Sequence, residues 1–127
     1  MIYGLGVDLV QIDRLQRAIN RWGERLVGRL FTAQEVDYCK RKKKGYYHSL
    51  AGKFAAKEAL WKALGAKGFQ GLSWKNLEVL SDPQDKPYFA KTEALQKRLA
   101  ALGIKGVFLS ITHTREHALA LVILTKE

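Results

Sequence analysis

The residues that could do chemistry are few and lie far apart in the chain. Asp8 sits inside an apolar stretch, residues 2–10, on the alternate face that also carries Gly4 and Gly6. Glycines in a strand leave room for a ligand or another backbone to come close. A carboxylate beside that room could hold a hard cation such as magnesium. The same residue could instead end the strand and cap the helix that follows. Glu58 stands four residues after Phe54 and three before Trp61, on their side of a predicted helix. An acid flanking an apolar stripe must find a partner or neutralise. Lys62, four residues on, is the expected partner, and an ordinary surface pair explains Glu58 taken alone.

Lys53, Lys57 and Lys62 put three cations on that helix. Lys57 and Lys62 fall on different sides of it, so together they could clasp a polyanion crossing the helix, or simply form a solvated face. Arg14, Arg17, Arg21 and Arg25 are spaced three, four and four apart, roughly opposite an apolar stripe. An arginine face suits carboxylates and phosphates, which makes it a candidate docking surface. The basic run at 40–44 could extend it. His113 follows Ser110-Ile111-Thr112, but no G-x-S-x-G elbow is present, so a Ser–His nucleophile is rejected. Cys39, with no histidine near it in sequence, reads as a packing residue.

The positioning elements follow from periodicity and punctuation. Residues 2–10 alternate as a strand. Residues 12–22 form a helix whose stripe is Ile12, Leu15, Ile19, Trp22 and Leu26, with Gly23 near its end. Thr32 and Glu35 form a capping-box pattern, so a second helix starts near residue 33 and ends around the basic run. Ser49 is the expected cap of a long helix through Leu64, closed by Gly65. Its Ala51, Ala55, Ala59 and Ala63 make a ridge suited to close packing. Short strands at 77–81 and 87–91 flank a turn. A helix spans 93–102, with Gly103 as its stop. Residues 106–113 and 117–125 form a hairpin. The expected fold class is α+β, with helices in the middle and an antiparallel sheet built from both chain ends, all in one domain, 1–127.

The chain has 127 residues, 47% of them hydrophobic and 27% charged, which excludes wholesale disorder. No apolar run is long enough to span a bilayer. One cysteine and three scattered histidines exclude a disulfide framework and a structural zinc cluster. The N-terminus does not read as a secretory signal, so a cytoplasmic location is expected. Lys plus Arg total 22 against 12 Asp plus Glu, a net +10, so the partner or substrate is expected to be anionic. A nucleic-acid module would explain the charge but not Asp8 and Glu58, whose carboxylates would be costly in its groove. Neither a nucleic acid nor a membrane is therefore the expected partner.

The long helix reads Phe54-Ala-Ala-Lys-Glu58-Ala-Leu-Trp-Lys62-Ala-Leu-Gly65. Together with Gly4-Leu-Gly-Val-Asp8 and Ser110-Ile-Thr-His113-Thr, it closely resembles the holo-[acyl-carrier-protein] synthase family, the small bacterial 4′-phosphopantetheinyl transferases. The motifs keep the family's order and span nearly the whole chain. The resemblance implies that coenzyme A donates its phosphopantetheine arm to a serine of an acidic apo acyl carrier protein, in support of fatty acid biosynthesis. It implies magnesium held by Asp8 and Glu58, and diphosphate contacts from Lys57 and Lys62. It places Lys53, Gly65, Lys86, Pro87 and His113 around coenzyme A and gives the arginine face its carrier protein. It also implies a homotrimer with sites between subunits. A non-catalytic scaffold of the same fold is disfavoured by the retention of both acids and Lys62. Three positions depart from the family pattern: Gly65-Ala66-Lys67-Gly68 for Gly-Thr-Gly, Asp85-Lys86-Pro87 for Gly-Lys-Pro, and Lys53, where arginine is as frequent.

Overall fold

A computed structural model describes residues 1–42 and 45–127. The elements run β1 (Ile2–Gln11), α1 (Ile12–Leu30), α2 (Ala33–Lys40), α3 (Tyr46–Phe69), a 3-10 turn (Trp74–Asn76), β2 (Val79–Ser81), β3 (Pro87–Phe89), α4 (Glu93–Ala101), β4 (Gly106–His113) and β5 (His117–Thr125). The α+β expectation holds. The three-stranded sheet is antiparallel in the order β1-β5-β4, so the C-terminal strand lies between its hairpin partner and the N-terminal strand. β2 and β3 form a separate two-stranded sheet.

Register decides which face of each strand meets the core. Gly4, Gly6 and Asp8 pair with Leu124, Val122 and Ala120 of β5, and those three β5 residues are buried. α3 lies across this inner face, with Ala51, Ala55, Ala59 and Ala63 all buried beneath it. The core continues from α3 through Leu60, Leu77 and Val79 to Leu95 and Leu99 of α4. A second cluster packs Ile12, Leu15 and Ile19 of α1 against Phe31, Cys39 and Leu50. No helix among the described residues is long and apolar enough to cross a membrane.

Several boundaries differ from the expectation. The first helix does not stop at residue 22. It runs to Leu30, interrupted at Gly23, whose φ of 66° is left-handed. Trp22, predicted in the buried stripe, stands just before this break and is 62% exposed. Its indole instead lies under the Arg21 guanidinium, 5.1 Å away. α3 starts at Tyr46, and Ser49 caps nothing: its hydroxyl accepts from the Cys39 thiol at 3.1 Å. Gly65, with φ 82°, breaks α3 where the sequence placed its stop, although one further turn follows. β2 and β3 are shorter than expected: Leu77 caps the 3-10 turn, its amide donating to the Trp74 carbonyl at 3.1 Å, and the strands pair only from Val79–Phe89 to Ser81–Pro87. The Thr32–Glu35 capping box forms as predicted. The expected end of the second helix at 40–44 falls partly on Lys43 and Lys44, outside the described residues.

Candidate active site

The site begins where β1 touches α3. At Gly6 any side chain would collide with the carbonyl oxygen of Ala59, and at Gly4 with that of Ala63. The two glycines let strand and helix meet backbone to backbone. Asp8, next on the same strand face, then reaches Lys62, whose Nζ donates to Asp8 Oδ1 at 2.9 Å and to the Val7 carbonyl at 3.1 Å. Asp8 therefore neither ends the strand nor caps α1, whose N-cap is Gln11. The expected Glu58–Lys62 surface pair is also corrected, because the lysine's ion pair is with Asp8. Glu58 lies one turn earlier on α3 and is half-buried. Burial pushes its carboxyl above the usual range, and the nearby Asp8 charge pushes it further against the opposing pull of Lys62. Two carboxylates and an ammonium thus come together from two elements, β1 and α3, with Asp8 and Lys62 separated by 54 positions in the chain.

These residues fit a hard divalent cation. The donors are carboxylate oxygens, and their mutual repulsion is relieved when a cation sits between them. No cluster of three or more His, Cys, Asp or Glu side chains suited to a metal exists among the described residues. Two carboxylates completed by water and phosphate oxygens is the arrangement magnesium takes, rather than a closed protein cage.

Further along α3 lies a pocket of about 670 Å³ lined by Lys53, Pro87 and His113, with Tyr38, His48 and Gly52 among its other walls. Residues 48, 49, 52 and 53 are one helical face, a spacing legible in the sequence but unused there. Lys53 is buried: its Nζ donates to the Val79 carbonyl at 2.7 Å and lies 4.4 Å from the Tyr38 ring centre. Desolvation draws its ammonium below the usual lysine range. His113 and His48 stack edge to face, 6.0 Å between ring centres. From Lys53 to Glu58 the helix advances about 8 Å, so α3 links the pocket to the acid pair.

Not every expected residue faces this pocket. Lys86 lines a separate depression with Tyr88 and Phe108. Gly65 is at the break in α3 and is not part of the pocket wall. Lys57, expected either at a diphosphate or on a solvated face, is fully buried. Its Nζ donates to Glu35 Oε1 and to the Trp74 carbonyl, both at 2.9 Å. Burial lowers its ammonium, and Glu35 opposes that shift. Glu35 also accepts the Val79 amide at 2.8 Å and the Thr32 amide at 2.9 Å. In sequence Glu35 shows only its capping role, and nothing local points to a lysine 22 positions away. Arg14, Arg17, Arg21 and Arg25 are all exposed. However, Arg17 pairs with Asp13 at 3.6 Å, so that face is not free of acid, and Arg25 lies beyond the Gly23 break.

Fold and site together define an α+β protein whose long helix lines a cationic pocket and, with β1, brings together an acid pair suited to phosphoryl chemistry. Residues 4–122 match the model of the 4′-phosphopantetheinyl transferase superfamily, and the chain belongs to that family. It is 42% identical over 123 residues to the holo-[acyl-carrier-protein] synthase of Halothermothrix orenii, covering 97% of each chain. Its fold matches the crystal structure of the Neisseria meningitidis holo-[acyl-carrier-protein] synthase with a TM-score of 0.90 and 37% identity, covering 99% of this chain and 100% of that one. The Bacillus anthracis synthase, solved in complex with CoA (3′,5′-ADP), matches at TM-score 0.75 and 31% identity, over 98% of this chain and 96% of that one.

Proposed function

We infer that the chain has holo-[acyl-carrier-protein] synthase activity. It transfers the 4′-phosphopantetheine arm of coenzyme A to a serine of apo acyl carrier protein and releases 3′,5′-ADP, the step that readies the carrier for fatty acid biosynthesis. The observation that carries the reading is the meeting of Asp8 with Glu58 and Lys62 between β1 and α3. The carrier serine oxygen forms a bond to the phosphorus bearing the pantetheine arm, and the bridging P–O bond to 3′,5′-ADP breaks. Glu58 takes the serine proton, directly or through a held water, and its upward-shifted carboxyl is a stronger base than an ordinary glutamate. Lys62 sits against Asp8 with its ammonium half open to solvent, placed to meet negative charge growing on the phosphoryl oxygens.

Asp8 and Glu58 are the proposed magnesium ligands. Bound magnesium supplies charge neutralisation on the diphosphate. Lys53, Pro87 and His113 receive the nucleotide end of coenzyme A. Lys86 and Gly65 act from outside that pocket, and Lys57 contributes by holding α3 rather than by touching phosphate. The acidic carrier protein docks on Arg14, Arg17, Arg21 and Arg25. The chain works in the cytoplasm.

We further propose a homotrimer with sites between subunits. Leu5, Val7 and Leu9 of β1 and Phe108 of β4 lie 52–60% exposed on the outer sheet face. Ile123, Leu121 and Leu119 pair between the strands in the same rows. Such a face is suited to burial against copies of the chain. The resemblance sets the number at three.

The decisive experiment incubates the protein with coenzyme A, magnesium and an apo carrier, and weighs the carrier by mass spectrometry. A mass gain equal to one phosphopantetheine is expected, lost on omission of magnesium and in Asp8→Ala and Glu58→Ala. An unmodified carrier, or full modification by the double variant, overturns the reading.

A further inference from the structure

The pocket built from cations also contains a carboxylate. Asp85, on the turn between β2 and β3, lines the same wall region as Lys53 and His113. Its Oδ1 accepts the hydroxyl of Tyr38 from α2, and its Oδ2 faces Lys42 Nζ at 3.5 Å. Lys42 Nζ and Lys53 Nζ also lie 5.0 Å and 4.4 Å from the Tyr38 ring centre. One carboxylate, one phenol and two ammonium groups thus form a compact cluster in the pocket wall.

The backbone shows that this placement is not incidental. Asp85 is the one non-glycine residue with positive φ among the described residues, at 64°. Asp82 fixes the turn: its Oδ1 accepts the amides of Gln84 and Lys86, both at 2.9 Å, and its carbonyl accepts the Asp85 amide at 2.8 Å. The left-handed position this creates is one that glycine fills without strain and that aspartate tolerates better than most residues. A glycine there would leave the Tyr38 hydroxyl and Lys42 without a carboxylate.

We propose that Asp85 is a specificity-determining residue, an internal competitor for the cations that receive the phosphate-bearing end of coenzyme A. This rests on the coenzyme A reading above. The carboxylate pairs with Lys42 at 3.5 Å. An incoming phosphate must share or take that cation, and it meets like charge while doing so. A dianionic phosphate monoester outcompetes a single carboxylate, whereas a neutral or weakly charged analogue gains nothing from the exchange. Asp85 therefore lowers affinity for anionic ligands as a class and keeps the pocket from filling with weak ones.

The test compares wild type with Asp85→Asn and Tyr38→Phe by calorimetric titration with 3′,5′-ADP, and with adenosine as the uncharged comparator. Asp85→Asn keeps a side chain able to meet Tyr38 but removes the charge. It is expected to bind 3′,5′-ADP about three- to fivefold tighter at low salt, the range for an exposed ion pair. The gain should shrink as sodium chloride is raised, and adenosine binding should not change. Tyr38→Phe, which leaves the charge in place, should not tighten binding. Equal gains for adenosine and 3′,5′-ADP, or a gain that survives high salt, would show a steric effect and overturn the proposal. So would unchanged 3′,5′-ADP affinity in Asp85→Asn with the wild type binding normally. If 3′,5′-ADP binds neither wild type nor variant, the coenzyme A reading fails first and the proposal falls with it.

Discussion

Asp8 and Glu58 divide their labour according to their surroundings. Asp8 has a lysine 2.9 Å from its oxygen, while Glu58 is partly desolvated and feels the charge of Asp8. Replacing either with its amide keeps shape and removes a carboxylate charge from the proposed cation site. Asp8→Asn and Glu58→Gln are each expected to lower turnover by at least about a hundredfold, measured as the rate of carrier mass gain under saturating coenzyme A. Asp8→Asn should retain measurable coenzyme A binding, because Lys53 and His113 are untouched. Lys57 and Glu35 set a contrasting case, in which charge serves the fold. Glu35→Ala strands a buried ammonium and is expected to cost about 3–5 kcal/mol in urea unfolding. Lys57→Met combined with Glu35→Leu should recover much of that, since a matched apolar pair removes both desolvation penalties. Were the double variant as unstable as the single one, the three amide and ammonium donors on Glu35, rather than its charge, would be what matters. Asp8 and Glu58 each stand out in sequence through local spacing, to the strand glycines and to Phe54 and Trp61, but their pairing follows only from the resemblance, because no local spacing joins positions 8 and 58. The Glu35–Lys57 pair was not, because Glu35 already had a sufficient local role as a capping residue.

At the scale of elements, one contact positions the acid pair: β1 against α3. Gly6→Ala forces a methyl into the Ala59 carbonyl oxygen, and neither backbone can yield without moving Asp8 away from Lys62. A loss of about 1–3 kcal/mol is expected from overpacking, together with a fall in turnover larger than the stability change explains. Gly23→Ala makes the useful comparison. Unlike Gly6, Gly23 has a positive φ, 66°, but nothing stands within 4 Å of the added methyl, so only a backbone strain of about 1–3 kcal/mol applies. Turnover with saturating carrier should then hold, and comparable activity losses in the two variants would refute this account of β1. The same contrast explains what could be read beforehand. The hairpin 106–113 and 117–125 and the first strand follow directly from alternation bounded by polar turns. The Gly23 break reads only as the possible end of a helix, because the hydrophobic period resumes at Leu26 and Val27 and lets the chain re-enter helix at a new angle. Ser49 looks like a cap by type, but the chain is already helical three residues earlier and the hydroxyl is taken by Cys39.

For the whole molecule, two surfaces remain to be explained, and they call for different partners. The arginines of α1 are exposed and would act over a Debye length. Arg14→Glu with Arg21→Glu should therefore lower kcat/KM for the carrier about ten- to a hundredfold at low salt, leave coenzyme A binding intact, and lose its effect as salt rises. The apolar outer sheet face would act only on contact. Val7 and Asp8 are neighbours whose side chains point to opposite faces, so Val7→Asp places a charge on the outer face without entering the acid pair. If that face is where copies of the chain meet, sedimentation velocity should show the wild type as one larger species and Val7→Asp as a monomer. If the site also needs a neighbour, the variant's activity per chain should fall and then rise with protein concentration as mass action restores assembly. A monomer with full, concentration-independent activity would mean that one chain holds everything the reaction needs. The exposed leucines and Phe108 would then require a different explanation from the one their rows on the sheet suggest.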